Sequence, residues 1–183
     1  MKKINIEKTV RDLIETFLNA GQVSIDLRNK GLTKIIKSDN TPVSNGDLEV
    51  NKIISKKIKG LTPSIPIISE ESSDNKSIEN MKDFWLVDPI DGTYDYINDL
   101  EEFTINAGLI LDRKPVAGLI YAPAKKRMFY SYGQGNAYEF TNGKEFQIDG
   151  SRNFDKDKIK FVSYSKKIKP EIQKIFDELN VKE

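Results

Sequence analysis

Apolar residues near the N-terminus recur at helical spacing. Val10, Leu13, Ile14, Phe17, Leu18, Val23 and Ile25 predict an amphipathic helix over residues 4–30, interrupted or eased at Gly21. Residues 34–37 read as a short strand, and the turn-rich segment from Ser38 to Gly46 reads as a loop. Asp47 then opens a second amphipathic helix, with Leu48, Val50, Ile53, Ile54 and Ile58 on its apolar face and Gly60 as its stop. A strand is expected at 66–69, followed by Glu70, Glu71 and a polar segment to Lys82.

Beyond residue 100 the period changes from helical to two. Strands are expected at 103–111, 116–121, 127–132 and 137–140, joined by segments so short that neighbours must run antiparallel. A further strand at 160–164 and a helix at 170–179 complete the pattern, the helix turning Ile172, Ile175, Phe176 and Leu179 inward. The sum is an α/β layered fold, an α+β sandwich in which N-terminal helices accompany a mostly antiparallel sheet.

One apolar run ends in chemistry. Asp83-Phe-Trp-Leu-Val-Asp88-Pro-Ile-Asp91-Gly-Thr93 reads as a strand that stops pairing at Asp88-Pro89, because proline has no amide hydrogen for the ladder. Two carboxylates three residues apart, a glycine that permits close backbone approach, and a hydroxyl suit a hard divalent cation with phosphate beside it. The same segment also fits a plain turn in which Asp91 caps a short helix.

Composition sharpens the choice. The 183 residues contain no histidine and no cysteine, which excludes a Ser-His-Asp or Cys-His nucleophile, a Cys/His zinc site, disulfides and thiol redox chemistry. Oxygen ligands remain, and Mg²⁺ is favoured, since the D-x-[DN]-x-[DN]-G pattern of a calcium loop is absent. Lys and Arg (29) nearly balance Asp and Glu (28), which gives no argument for nucleic acid or an anionic membrane. Charged residues break up any N-terminal signal core, no run is apolar enough to span a membrane, and a cytoplasmic protein is expected.

Asp47, Glu70, Glu71, Asp88 and Asp91 all fall at ends of expected elements, where a helix start and two strand ends can converge on one mouth. Each also has an ordinary role open to it: Asp47 as a helix cap, Glu70 and Glu71 as solvated loop acids, Asp88 and Asp91 as turn formers.

In this order, three segments resemble the inositol monophosphatase superfamily of Mg²⁺-dependent, lithium-sensitive phosphatases: Asp39-Asn-Thr-Pro-Val-Ser-Asn-Gly-Asp47, Ile67-Ile-Ser-Glu-Glu71 and Trp85-Leu-Val-Asp-Pro-Ile-Asp-Gly-Thr93. Glu102-Phe-Thr-Ile-Asn-Ala-Gly-Leu-Ile110 and Pro115-Val-Ala-Gly-Leu-Ile-Tyr-Ala-Pro-Ala124 are similar to its CysQ branch, the 3'(2'),5'-bisphosphate nucleotidases, and the likeness covers about residues 5–165. The resemblance implies that Glu70, Asp88 and Asp91 ligate metal, that Ile90 adds its backbone carbonyl, and that Asp88 bridges two Mg²⁺ ions. It implies that Asp91, Gly92 and Thr93 bind the phosphate, with free amides at a helix N-terminus. Thr93, paired with Asp47 and close to Glu70, would orient the attacking water, and Glu71 would stand behind these groups. The implied substrate is a small phosphate monoester, a nucleoside bisphosphate such as 3'-phosphoadenosine 5'-phosphate. The alternatives are an inositol or sugar monophosphate, or a non-catalytic remnant that acts as a binding protein.

Two departures stand out. Gly46 replaces the family's usual alanine before the aspartate, which is expected to loosen the helix start. The family also continues into a second α/β domain with a Trp-Asp motif that completes the metal site, whereas the only tryptophan here is Trp85. The resemblance therefore implies an N-terminal metal- and phosphate-binding domain over 1–155 and a truncated start of a C-terminal domain over 156–183. It also implies weak or absent activity alone, and self-association or pairing with the missing domain.

Overall fold

The computed structural model describes residues 4–36, 42–71, 81–149 and 169–178. The chain divides into two compact units, Met1–Ile148 and Asp149–Glu183.

In the first unit, α1 (Ile6–Lys30) is one continuous helix, started by the Asn5 side chain accepting from the Lys8 amide at 3.0 Å. It is not interrupted at Gly21. That glycine is a packing device instead, since a Cβ there would stand 2.2 Å from Cε1 of the buried Tyr121. A two-stranded antiparallel ribbon, β1 (Lys34–Ile36) and β2 (Pro42–Ser44), leads into α2 (Asn45–Leu61).

Helix α2 opens two residues before the expected Asp47, because Ser44 is the cap and Asp47 closes a capping box three residues on. It also runs through Gly60, and its end is set by Thr62, whose hydroxyl donates to the Ile58 carbonyl at 3.0 Å. Leu48 is 45% exposed rather than inward, whereas Val50, Ile54 and Ile58 are buried.

Seven strands form one sheet in sequence order: β3 (Ile67–Ser69), β4 (Phe84–Asp91), β5 (Thr104–Leu111), β6 (Lys114–Ala122), β7 (Arg127–Ser131), β8 (Ala137–Thr141) and β9 (Lys144–Gln147). Only β3 and β4 pair in parallel, and every later neighbour is antiparallel, as the short connections require. Lys114 and Pro115 belong to β6 rather than to the connection before it. The turn is Asp112-Arg113 alone, both with positive φ (51° and 61°), the backbone of a tight hairpin.

Helices α1 and α2 pack on each other and on β6 and β4. Their stripes (Val10, Leu13, Phe17; Val50, Ile54, Ile58) meet Trp85, Val87, Ile105, Leu109, Leu119 and Met128 in one core. Strand alternation sends Leu86 and Asp88 to the opposite side from Trp85 and Val87. Trp85 fixes the register, since its indole N–H donates to Thr62 Oγ1 at 3.0 Å inside the core.

Pairing does not stop at Asp88-Pro89. Strand β4 continues to Asp91 through a bulge, where the pairs Asp88 with Asn106 and Asp91 with Thr104 set three steps of β4 against two of β5. The bulge accommodates the proline, which cannot donate to the ladder, and it returns Ile90 to the core. A five-residue helix, α3 (Thr93–Ile97), follows at once.

In the second unit the described element is α4 (Pro170–Glu178). Phe176 is buried there, but Ile175 is 51% exposed, against the inward position its spacing suggested. The strand expected at 160–164 and Leu179 lie outside the described residues. No helix among the described residues is long and apolar enough to cross a membrane.

Candidate active site

The capping box that starts α2 also builds the first part of the site. Asp47 is 1% exposed, and its Oδ2 accepts from the Ser44 amide at 2.8 Å and from the Ser44 hydroxyl at 2.5 Å. That leaves Oδ1 to face α3, where Thr93 Oγ1 lies 3.2 Å away. The Thr93 hydroxyl is also 2.9 Å from the Ile90 carbonyl oxygen, so its single proton is shared between two acceptors. With the proton committed to that side, the lone pairs of Thr93 Oγ1 are left to accept from a water. The Ile90 carbonyl keeps a second lone pair for another partner.

Parallel pairing of β3 with β4 brings the second part. The Glu70 amide donates to the Val87 carbonyl at 3.2 Å, which sets Glu70 beside Asp88 at the end of the strand pair. Asn51 of α2 ties down the end of β3 by accepting from Ser69 Oγ at 2.8 Å. Glu71, expected behind the site, is partly buried, and its amide donates to Ser69 Oγ at 3.3 Å.

Asp88 is the electrostatic centre. Burial is the largest cause that raises its carboxyl from the ordinary 3.8 to about 7, followed by the charges of Glu70 and Asp91, a hydrogen bond with Glu70, and the charge of Asp47. Its Oδ1 is buried with no hydrogen-bond partner, a costly state for an acid crowded by other acids. Among the described residues, no three acidic side chains stand at metal-holding distances from one another.

Gly92 joins strand to helix. Its φ of +88° is left-handed, and a Cβ there would meet the Glu102 carbonyl oxygen at 2.6 Å, so glycine is required on both counts. No side chain caps the start of α3.

The structure thus brings Asp47 to Thr93, Ile90 to Thr93, and Glu70, Asp88 and Asp91 into one electrostatic group. Sequence reasoning missed two supports. Ser44 was legible in the Ser-x-x-Asp spacing of a capping box. Asn106 was not, because only cross-strand pairing places it opposite Asp88, where its Nδ2 donates to Asp91 Oδ2 at 3.3 Å and its buried Oδ1 has no partner.

Curated relatives match most of the chain's length. The CysQ 3'(2'),5'-bisphosphate nucleotidase of Aggregatibacter actinomycetemcomitans is 34% identical over 141 residues, which cover 76% of this chain and 52% of that protein. The enzyme of the same name from Buchnera aphidicola is 40% identical over 134 residues, covering 67% and 51%. The chain spans about half the length of these relatives. Among solved structures, CysQ from Bacteroides thetaiotaomicron, a bacterial member of the inositol monophosphatase family, matches 96% of this chain and 69% of its own, with a TM-score of 0.68 at 23% identity, which shows a shared α/β layered fold. The model of the inositol monophosphatase family matches residues 6–180, and the chain belongs to that family.

Proposed function

We propose that this chain supplies the metal and phosphate side of a Mg²⁺-dependent phosphomonoesterase of the 3'(2'),5'-bisphosphate nucleotidase type. The observation that carries the reading is Asp88: a carboxylate with one buried, unpartnered oxygen, crowded by Glu70, Asp91 and Asp47, and lacking any cationic side chain among the causes that set its acidity. Such a group fits a hard divalent cation, which would satisfy the orphan oxygen and offset the repulsion at once.

Glu70, Asp88, Asp91 and the Ile90 carbonyl would hold the cation. When bound, Mg²⁺ supplies charge neutralisation of the phosphate and acidification of water. The protein does the rest. Asp47, fixed by two bonds from Ser44, and the Ile90 carbonyl together engage the Thr93 hydroxyl proton, so that Thr93 Oγ1 would accept from the attacking water and aim the water's lone pair at phosphorus. Glu70, the carboxylate beside Asp88, would take up a proton from that water. Amides at the uncapped start of α3, reached across Gly92, would meet the phosphate oxygens.

The nucleotidase assignment draws on the names of the relatives and on the likeness of β5 and β6 to that branch. Phosphate release from 3'-phosphoadenosine 5'-phosphate and from inositol 1-phosphate, each with Mg²⁺ and with a chelator, tests it. The expected result is weak release from the bisphosphate that requires Mg²⁺, and release at the rate of a complete enzyme would contradict the expected weakness of the chain alone. Chelator-insensitive release would contradict the metal role, and faster release from inositol phosphate would move the chain to the monophosphatase branch.

A further inference from the structure

Helix α2 meets α3 at two points, and the second explains the first. Asp47 reaches Thr93, and the preceding residue, Gly46, lies against Tyr96, one turn along α3 from Thr93. A Cβ at position 46 would stand 2.3 Å from the Tyr96 hydroxyl oxygen, 2.7 Å from Cε1 and 2.8 Å from Cζ.

Tyr96 cannot swing aside. It is 0% exposed, its hydroxyl donates to the Ser24 carbonyl of α1 at 2.7 Å, and its ring lies 4.9 Å from that of Phe103 with the Arg28 guanidinium 5.8 Å above it. The ring is therefore a fixed spacer pinned to α1, and the missing side chain at 46 lets the first turn of α2 close onto it.

From this we infer that Gly46 and Tyr96 are positioning residues that set the Asp47 to Thr93 distance, and through it the aim of the attacking water. The inference rests on the proposed role of that pair. A methyl at 46 would open the junction by about 1 Å to restore ordinary contact. The Asp47 to Thr93 separation of 3.2 Å is already near the outer limit of a hydrogen bond, roughly 3.5 Å, so such an opening breaks it. Gly46 thus tightens the start of α2 against α3, opposite to the loosening that its replacement of alanine suggests from sequence.

The test uses the full chain and a mutant cycle that does not depend on turnover. Thr93→Val should lower the urea midpoint of the parent, and should lower it by measurably less in Gly46→Ala, where the bond to Asp47 is already broken and only the one to the Ile90 carbonyl remains. Tyr96→Phe removes the closest atom and the bond to Ser24 that pins the ring, so that the ring, whose Cε1 and Cζ would still stand 2.7 and 2.8 Å away, is free to yield to the methyl, and Gly46→Ala/Tyr96→Phe should recover most of the Thr93→Val effect. An undiminished Thr93→Val effect in Gly46→Ala overturns the inference. If Gly46→Ala does not fold, the relieved double variant decides alone, and failure to recover the effect overturns it.

Turnover gives the second readout. Gly46→Ala should lower kcat at least tenfold with KM and Mg²⁺ affinity within twofold, and Tyr96→Phe should rescue it. Parallel loss of Mg²⁺ affinity would show a merely structural role and overturn the inference. If the unsubstituted chain hydrolyses nothing, in line with the weak or absent activity expected of it alone, the stability cycle decides the junction by itself, whereas a chain that does not bind Mg²⁺ marks the failure of the proposed function instead.

Discussion

Replacing Asp88 by asparagine should stabilise the metal-free protein at pH 8 while removing its response to Mg²⁺. In the folded chain this carboxyl titrates near 7, against an ordinary 3.8. Between about pH 4 and 7 the unfolded chain gives up the proton and the folded chain keeps it, so folded-state stability falls as pH rises through that window and levels off above it. A displacement of that size is worth at most about 4 kcal/mol, and partial solvent access to the side chain reduces it to about 1–2 kcal/mol. Asparagine keeps the shape and removes the charge. Urea unfolding at pH 5 and pH 8 without metal should therefore show Asp88→Asn gaining about 1–2 kcal/mol over the parent at pH 8, and only about a third of that at pH 5, where the folded carboxyl keeps its proton but the unfolded one has largely lost it. With Mg²⁺ added at pH 8, the parent should gain stability by mass action and Asp88→Asn should not. An equal loss of stability in Asp88→Asn at both pH values would refute the reasoning, because it would mean that the carboxylate is a satisfied structural group.

Two further outcomes follow from the same geometry. Thr93→Val should lower turnover by a factor of about 10² while leaving Mg²⁺ affinity nearly unchanged, as expected of a group that orients water; calorimetry beside initial rates checks the split. Gly92→Ala should cost about 2–4 kcal/mol in urea unfolding, because it combines a left-handed backbone with a clash against the Glu102 carbonyl, and a cost below about 1 kcal/mol would mean that the turn re-forms easily.

The period-two alternation of β5, β6 and β7 was legible because each of those strands buries every second residue in the core, so apolar residues had to fall there. Strand β9 was not, since Lys144–Gln147 is exposed throughout and carries no such pattern. Strand β2 was hidden in a turn-rich segment, where Pro42 and Ser44 signal loop chemistry although Val43 is buried. Pro89 misled for a different reason: a missing amide ends a regular ladder but not a bulged one.

At the site, Glu70 and Asp88 were readable because each follows the last residue of the β3 and β4 pairing, Ser69 opposite Val87, and Asp91 and Thr93 because a glycine turn separates them. Gly46, Tyr96 and Asn106 act through residues distant in sequence, and no local pattern marks such contacts.

The account depends most on Asp88 as the heart of a cation site. Calorimetric titration of Mg²⁺ into the parent chain and into Asp88→Asn at pH 8 tests it directly. Saturable binding by the parent, weakened at least about tenfold in Asp88→Asn by loss of a ligand carboxylate, is the predicted result. Equal affinity in the two proteins would contradict the account.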